Sequence, residues 1–159
     1  LELFLNQIVS EFTYQAEERG ASIEIDVEPS SLELDIDIEK FARVYQNLIA
    51  NALKYGQIMT VITLTGREFV KDQSEWVRLQ VKNDGQVIPE DELELIFKRS
   101  YRADQSRTSN EAGAGLGLAI TRNIIHLHGG EVYATVTDQE TIFNIELPKQ
   151  AEDATENAV

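Results

Sequence analysis

Several residue types and patterns that carry common functions are missing from this chain. It contains no cysteine, which excludes disulfide scaffolds, thiolate zinc sites and thiol nucleophiles. Its two histidines, His126 and His128, lie two positions apart and offer poor material for a metal centre. No apolar run approaches the roughly 18 residues that a membrane span needs, so we expect a soluble piece of protein. There is also no initiator methionine, so we expect a fragment of a longer chain.

Positive charge is scarce as well. Fourteen lysines and arginines face 28 aspartates and glutamates, which gives a formal net charge of −14. A surface this acidic argues against nucleic acid as a partner, because phosphate backbones are bound through basic surfaces. Four of the few cations nevertheless crowd one short stretch, namely Lys98, Arg99, Arg102 and Arg107. Composition leaves two interpretations of this stretch open, a local anion site and a solvated charged loop.

Helical periodicity is present in three long segments. With 159 residues, 42% of them hydrophobic, the chain fits one globular domain with a sizeable core. Apolar residues at helical spacing predict helices over residues 1–20, 38–56 and 115–130. A shorter helical piece is predicted around Glu90 to Phe97.

Alternating apolar and polar residues predict strands between these helices. The strands are expected at residues 22–28 and 32–36, which should pair, at 58–66 and 75–83, which should form an antiparallel pair, and at 131–137 and 141–148, which should form a closing hairpin. Half-exposed, hairpin-linked strands favour an α+β fold, a two-layer sandwich in which helices pack on one face of a mostly antiparallel sheet. We expect the domain to occupy residues 1–149 and residues 150–159 to form a disordered acidic tail.

A polar stripe lies beside the apolar stripe of the second helix. Asn47 and Asn51 are four residues apart and Lys54 follows three later, so they share one face. Amide oxygens can bind Mg²⁺ and an ammonium can bind phosphate. A solvated polar edge of the helix is the alternative, and the stripe alone favours it.

Three alternating glycines open the last predicted helix. In GAGLGL (113 to 118) the glycines let the backbone approach a ligand, and a helix N-terminus offers free N–H groups to an anion. The pattern favours a phosphate cradle over a glycine-rich hinge. It is neither the P-loop, which needs GK[ST], nor the dinucleotide fingerprint, which needs a preceding strand.

A polar turn follows the predicted strand 75–83. In NDGQVIP (83 to 89) a side-chain oxygen could accept from the exocyclic amine of adenine, the kind of single polar group that a mostly apolar base pocket needs. Taken alone, a simple strand-ending turn is the favoured interpretation.

Together these stretches resemble, in order and spacing, the catalytic and ATP-binding domain of sensor histidine kinases, in the superfamily shared with gyrase, Hsp90 and MutL. NLIANALKYG (47 to 56) resembles the N box, NDGQVIP (83 to 89) the G1 box, IFKRSYRAD (96 to 104) the F box and GAGLGLAI (113 to 120) the G2 box. The resemblance covers nearly the whole chain. Within the family, the chain is similar to the vancomycin-resistance sensor kinases. It implies the Bergerat-type ATP-binding fold.

The resemblance also implies a role for each matching residue. Asn51, with Asn47, would bind Mg²⁺, and the catalytic groups on the phosphates would be Asn47, Lys54, Arg99 and Arg102. Residues 103–112 would form the ATP lid. The ATP-binding residues implied are Asn47, Asn51, Lys54, Tyr55, Asn83, Asp84, Gly85, Ile88, Arg102, Gly113, Gly115, Leu116, Gly117 and Leu118.

Two departures from the family pattern stand out. Asn83 occupies the place of the adenine-binding aspartate and Val87 that of the second G1 glycine, with Asp84 as the rival for the base contact. Asn83 can still accept from the adenine amine, although base selection should be weaker. In the F box Ser100 replaces the usual aromatic residue, which affects how the lid packs.

The resemblance implies a protein histidine kinase that places Mg·ATP for γ-phosphoryl transfer. Related ATPases carry a glutamate where this chain has Asn47, and an amide cannot act as that base, so the kinase is favoured over an ATP hydrolase. A nucleotide-binding module that acts only by docking is the other alternative. The phosphoacceptor histidine would lie on a dimerisation domain upstream of Leu1, because structural roles suit His126 and His128 better.

The same resemblance implies the setting of the domain. We expect the fragment to be monomeric and cytoplasmic, within a homodimeric full-length protein anchored in the bacterial cell membrane. A response regulator would be its partner in a two-component system.

Overall fold

The computed structural model describes residues 1–85, 87–99, 101 and 116–149, and these form two layers. The helices are α1 (Glu2–Glu18), α2 (Ile38–Tyr55) and α3 (Gly117–Leu127), and the strands are β1 (Ser22–Glu28), β2 (Val61–Lys71), β3 (Ser74–Asp84), β4 (Glu131–Val136) and β5 (Glu140–Pro148). The described strands form one sheet in the order β1-β2-β3-β5-β4. The helices pack on one face of this sheet, which confirms the predicted α+β sandwich.

The sheet is antiparallel except at one edge. β2 pairs with β3 and β4 pairs with β5 in antiparallel register, as the sequence predicts. β3 also pairs with β5 in antiparallel register. β1 instead pairs in parallel with β2, and α2 provides the crossover that a parallel pair requires.

The predicted pairing of segment 32–36 with β1 is wrong. These residues form no strand. Leu32 is buried, and Leu34 and Ile36 are partly buried against the core. Alternation in this segment reflects an extended chain with one side against the core, and such a chain alternates whether or not it has a strand partner. The predicted helical piece near residue 90 is likewise shorter than expected, since it consists of two 3₁₀ turns, Glu90–Glu92 and Leu95–Phe97.

Helix α2 lies at the centre of the core. Asp37 caps its N-terminus by accepting from the backbone N–H of Lys40 at 3.1 Å. Its buried face consists of Phe41, Val44, Tyr45, Leu48, Ile49, Ala52 and Leu53. The strong burial of α2 fixes the orientation of its polar stripe.

None of the helices in the described part of the chain is both long and apolar enough to cross a bilayer.

Tyr45 carries a buried hydroxyl group for which the described residues offer no hydrogen-bond partner. A buried unpaired polar group costs about 1–3 kcal/mol. Tyr45→Phe removes that group and keeps the edge-to-face contact with Phe4, whose ring centroid lies 6.0 Å away. We expect Tyr45→Phe to leave the free energy of unfolding unchanged or to raise it by about 1 kcal/mol, as measured by urea denaturation.

Tyr133→Phe is the matched control. The Tyr133 hydroxyl donates to Glu146 Oε1 at 2.9 Å, so its removal should lower the free energy of unfolding by about 1 kcal/mol. A greater loss of stability in Tyr45→Phe than in Tyr133→Phe would contradict the view that the Tyr45 hydroxyl is unpaired.

Candidate functional site

Asn47 joins α2 to the first turn of α3. Its Nδ2 donates to the carbonyl oxygen of Gly117 at 3.1 Å and to Thr121 Oγ1 at 3.4 Å. A Cβ atom on Gly117 would lie 3.4 Å from Asn47 Cγ, so the glycine allows the two helices to approach here. Both bonds use the amide nitrogen of Asn47. The atom of this side chain that is left for a cation or a donor is therefore Oδ1.

The rest of the polar stripe continues toward the end of α2. Asn51 is half-buried one turn further on, and Lys54 is exposed. The Lys54 ammonium lies 5.2 Å from the centroid of the Tyr55 ring, which is itself 47% exposed. The stripe thus runs from a half-buried amide end to an exposed cationic end, and the exposed lysine is free to move onto an anion.

The end of β3 is fixed directly against the end of α2. Gly56 and Gly85 form an isolated antiparallel bridge. Gly85 has φ +140, and a Cβ atom there would lie 2.5 Å from the Tyr55 carbonyl oxygen. Only glycine permits this backbone contact. It brings the segment Asn83 to Gly85 beside Tyr55.

Asn83 ends the helix-facing side of β3. It is 5% exposed, and its Nδ2 donates to the carbonyl oxygen of Asp84 at 2.9 Å. The preceding buried side chains on the same side of the strand are apolar, namely Val77, Leu79 and Val81. Asn83 therefore places an amide group at the edge of an apolar surface, as a base pocket requires.

Thr141 is a candidate that sequence reasoning missed. It pairs directly with Asn83 across β3 and β5, it is 5% exposed, and its Oγ1 has no hydrogen-bond partner among the described residues. The signal that could have found it is the alternation of β5, which places Thr141 on the same face as Phe143 and Ile145.

Asp84, the rival of Asn83, has a different environment. Its carboxylate accepts a hydrogen bond from the hydroxyl of Thr60, a fully buried residue in the turn before β2. Successive side chains of a strand also point to opposite faces. The structure therefore brings Asn83, and not Asp84, to the helix-facing side.

The segment after β3 is held against α3 and the sheet. Phe97 is buried and packs edge to face on Phe143, with ring centroids 6.3 Å apart. Arg122 of α3 lies over the Phe97 ring at 5.4 Å and forms an ion pair with Glu94. Arg99, two residues beyond Phe97, is exposed, so its guanidinium faces solvent next to this anchored segment.

The remaining predicted positions divide into two groups. Ile88, Gly117 and Leu118 are half-buried, and Leu116 is 39% exposed at the N-terminus of α3. The following predicted positions lie outside the described residues: Ser100, Arg102, the lid 103–112, Gly113 and Gly115.

His128 has a structural role. Its Nδ1 lies 2.8 Å from the Ile124 carbonyl oxygen, and its Nε2 accepts from the backbone N–H of Asp37 at 3.2 Å. The neutral tautomer with hydrogen on Nδ1 satisfies both contacts. The ring also packs on Phe41 at 4.9 Å. His128 thereby ties the end of α3 to the start of α2.

A cation at this site would depend on amide oxygens. Within the described ranges there is no cluster of three or more histidine, aspartate or glutamate side chains that could hold a metal ion. Mg²⁺ is commonly bound through few protein groups together with substrate phosphates. The donor set of Asn47 and Asn51 fits Mg²⁺ only in company with phosphates.

The chain is similar to known proteins over most of its length. The model of the family described as histidine kinase-, DNA gyrase B- and HSP90-like ATPase matches residues 36–151. Sensor protein VanS of Enterococcus faecium is 38% identical over 148 residues, which are 93% of this chain and 37% of VanS. The chain thus spans little more than a third of that relative.

Solved structures are similar as well. The catalytic domain of histidine kinase ThkA superposes with a TM-score of 0.82 at 25% identity, covering 96% of this chain and 94% of that one. Full-length ShkA, solved in complex with AMPPNP, gives a TM-score of 0.76 at 27% identity and covers 94% of this chain and 30% of that one. The chain therefore belongs to the family of histidine kinase-, DNA gyrase B- and HSP90-like ATPases.

Proposed function

We propose that this chain is the ATP-binding catalytic domain of a sensor histidine kinase, which positions Mg·ATP for γ-phosphoryl transfer to a histidine on a separate dimerisation domain. The observation that carries the proposal is the contact of Asn47 with Gly117. It places an amide oxygen of α2 beside the N-terminus of α3, where free backbone N–H groups favour phosphate. The buried Asn83 supplies a polar group for the base at the end of β3.

The phosphate end of the site suits positioning and charge neutralisation. Phosphoryl transfer asks the protein for these two contributions more than for covalent chemistry. Asn47 and Asn51 would hold Mg²⁺ through their amide oxygens, and the bound ion would neutralise charge on the phosphates. Lys54 and Arg99 are exposed and would pair with phosphate oxygens. Arg102 would add a further guanidinium.

The arrangement favours a kinase over a hydrolase. Asn47 has an amide group whose nitrogen already donates to Gly117 and Thr121, and an amide cannot remove a proton from water. His128 is occupied by Ile124 and Asp37, so it is a poor phosphoacceptor. The acceptor imidazole would therefore come from another domain. The whole protein would be a membrane-anchored homodimer that passes phosphate to a response regulator. Histidine kinase ThkA, which shares this fold, has been solved in complex with response regulator protein TrrA.

Calorimetric titration with ATP tests the proposal. We expect the chain to bind ATP more tightly with Mg²⁺ than without it, and we expect Asn51→Ala to weaken binding about tenfold in Mg²⁺ only, since one cation ligand is lost. Asn6→Ala, at an exposed position of α1, is the matched control and should bind as the wild type does.

A transfer assay separates the kinase from its alternatives. Radiolabelled ATP should label an added dimerisation domain, and steady phosphate release from the chain alone should be negligible. Release as fast as transfer would support a hydrolase, ATP binding without transfer would support a docking module, and failure to bind ATP would overturn the proposal.

A further inference from the structure

Two polar side chains interrupt the apolar, helix-facing surface of β3 and β5 at one end. We call Asn83 and Thr141 the polar corner; they are paired in register, and each is 5% exposed. Their neighbours along the same face are all apolar, namely Val77, Leu79 and Val81 on β3 and Phe143, Ile145 and Leu147 on β5. The Thr141 hydroxyl has no described partner. A buried polar group of this kind calls for a ligand or a bound water.

The hydrogen bond to Asp84 fixes the orientation of the Asn83 amide. A backbone carbonyl oxygen can only accept, so the group that lies 2.9 Å from the Asp84 oxygen must be Nδ2. In this orientation Oδ1 is the atom that Asn83 offers to a ligand. An acceptor at this place suits a purine that carries an amino group at C6, as adenine does.

An amide differs from a carboxylate because it has a donor on one side and an acceptor on the other, and rotation of the side chain exchanges the two. Rotation of the Asn83 amide by half a turn presents Nδ2 to the ligand and gives up the bond to Asp84. The Thr141 hydroxyl can donate or accept, so it permits either orientation. An aspartate in the same place has two acceptors and would oppose a carbonyl group in both orientations.

We propose that Asn83 widens the base specificity of this site, so that the domain binds purine triphosphates with a carbonyl group at C6 as well as those with an amino group. This inference rests on the proposed nucleotide-binding function. ATP is preferred, because its amine leaves the Asn83–Asp84 bond in place. The preference is about tenfold, the usual effect of one hydrogen bond between uncharged groups.

Inosine triphosphate is the probe that isolates this effect, because it replaces the C6 amine of ATP by a carbonyl and adds no group at C2. Calorimetry with Mg²⁺ should give an ATP-to-inosine triphosphate affinity ratio of about 10 for the wild-type chain. Asn83→Asp should retain ATP binding and raise the ratio to on the order of 100 or more, since a carboxylate rejects a carbonyl. Asn6→Asp adds the same charge at an exposed site on α1 and should leave the ratio unchanged.

A second variant guards against a folding defect in Asn83→Asp. Asn83→Ala removes both the donor and the acceptor, so it should weaken ATP binding and bring the ratio close to 1, while thermal unfolding checks that the variant is folded. A wild-type ratio above about 100, or a ratio that neither substitution changes, overturns the inference and leaves ATP binding intact. Failure of the wild type to bind either nucleotide overturns the proposed function and this inference with it.

Discussion

Replacing Gly85 by alanine should lower the free energy of unfolding by about 3 kcal/mol, because the new methyl group would meet backbone atoms that cannot yield. A Cβ atom at this position would lie 2.5 Å from the Tyr55 carbonyl oxygen and 2.8 Å from Gly56 Cα. The backbone also has φ +140, which strains any residue with a side chain. Either the bridge between Gly56 and Gly85 opens or the end of α2 moves.

Gly66→Ala is the matched control for this prediction. Gly66 is buried within β2, and a Cβ atom there would meet the flexible end of the Leu1 side chain at 2.8 Å. We expect Gly66→Ala to cost about 1 kcal/mol or less, since Leu1 can change its rotamer. Urea denaturation of both variants makes the comparison. Equal losses would contradict the view that the contact between α2 and β3 requires glycine.

Most of the fold could be predicted because the sequence patterns report burial. Helix α2 has one apolar face, and β2, β3 and β5 have alternating faces, so their types follow from periodicity. The pairing of β1 could not be predicted in the same way. Residues 32–36 alternate as well as β1 does, yet they lie against the core without a strand partner. Periodicity identifies the buried side of an extended chain and not its neighbour.

The sequence proposes residues for the candidate site but does not reveal the contacts between them. The resemblance placed Asn47 and Gly117 in one site, whereas their hydrogen bond joins positions 70 residues apart, which no local pattern can reveal. The choice between Asn83 and Asp84 depended on which residue faces the helices. That orientation is set by the register between β3 and β5, because a shift of one residue would exchange the two faces. The same register brings Thr141 beside Asn83.

Glu146 should provide the second large effect, because it is a carboxylate buried on the sheet face away from the helices. It is 5% exposed. Its Oε1 accepts two hydrogen bonds from Arg78, from Nε at 3.0 Å and from Nη2 at 2.8 Å. The Tyr133 hydroxyl donates to the same oxygen at 2.9 Å. Lys71 Nζ lies 3.3 Å from the other oxygen, Oε2. Glu146→Gln removes the charge that these donors surround. We expect it to lower the free energy of unfolding by about 2 kcal/mol at pH 7, below the usual cost of breaking a buried pair because water still reaches Arg78 and Lys71.

This loss should depend on pH. Burial raises the pKa of the Glu146 carboxyl, but the bonds from Arg78, Tyr133 and Lys71 outweigh burial and hold the pKa below its ordinary value of 4.5. A carboxyl whose pKa is lower in the folded state stabilises the fold above its unfolded pKa, and this stabilisation is lost as the pH falls through the folded pKa. The difference between wild type and Glu146→Gln should therefore be constant from pH 6 to 7 and shrink below about pH 4.5.

Glu131→Gln is the control that separates the effect of losing a buried carboxylate from the effect of losing one negative charge near Lys71. Glu131 also approaches Lys71, at 3.5 Å, but its side chain is 63% exposed, so water and salt screen the pair. Its substitution should change the free energy of unfolding by less than about 0.5 kcal/mol at any pH in the series. Urea denaturation from pH 3.5 to 7 measures all three proteins. If Glu131→Gln were as destabilising as Glu146→Gln, the net charge around Lys71 and not the buried carboxylate would account for the effect.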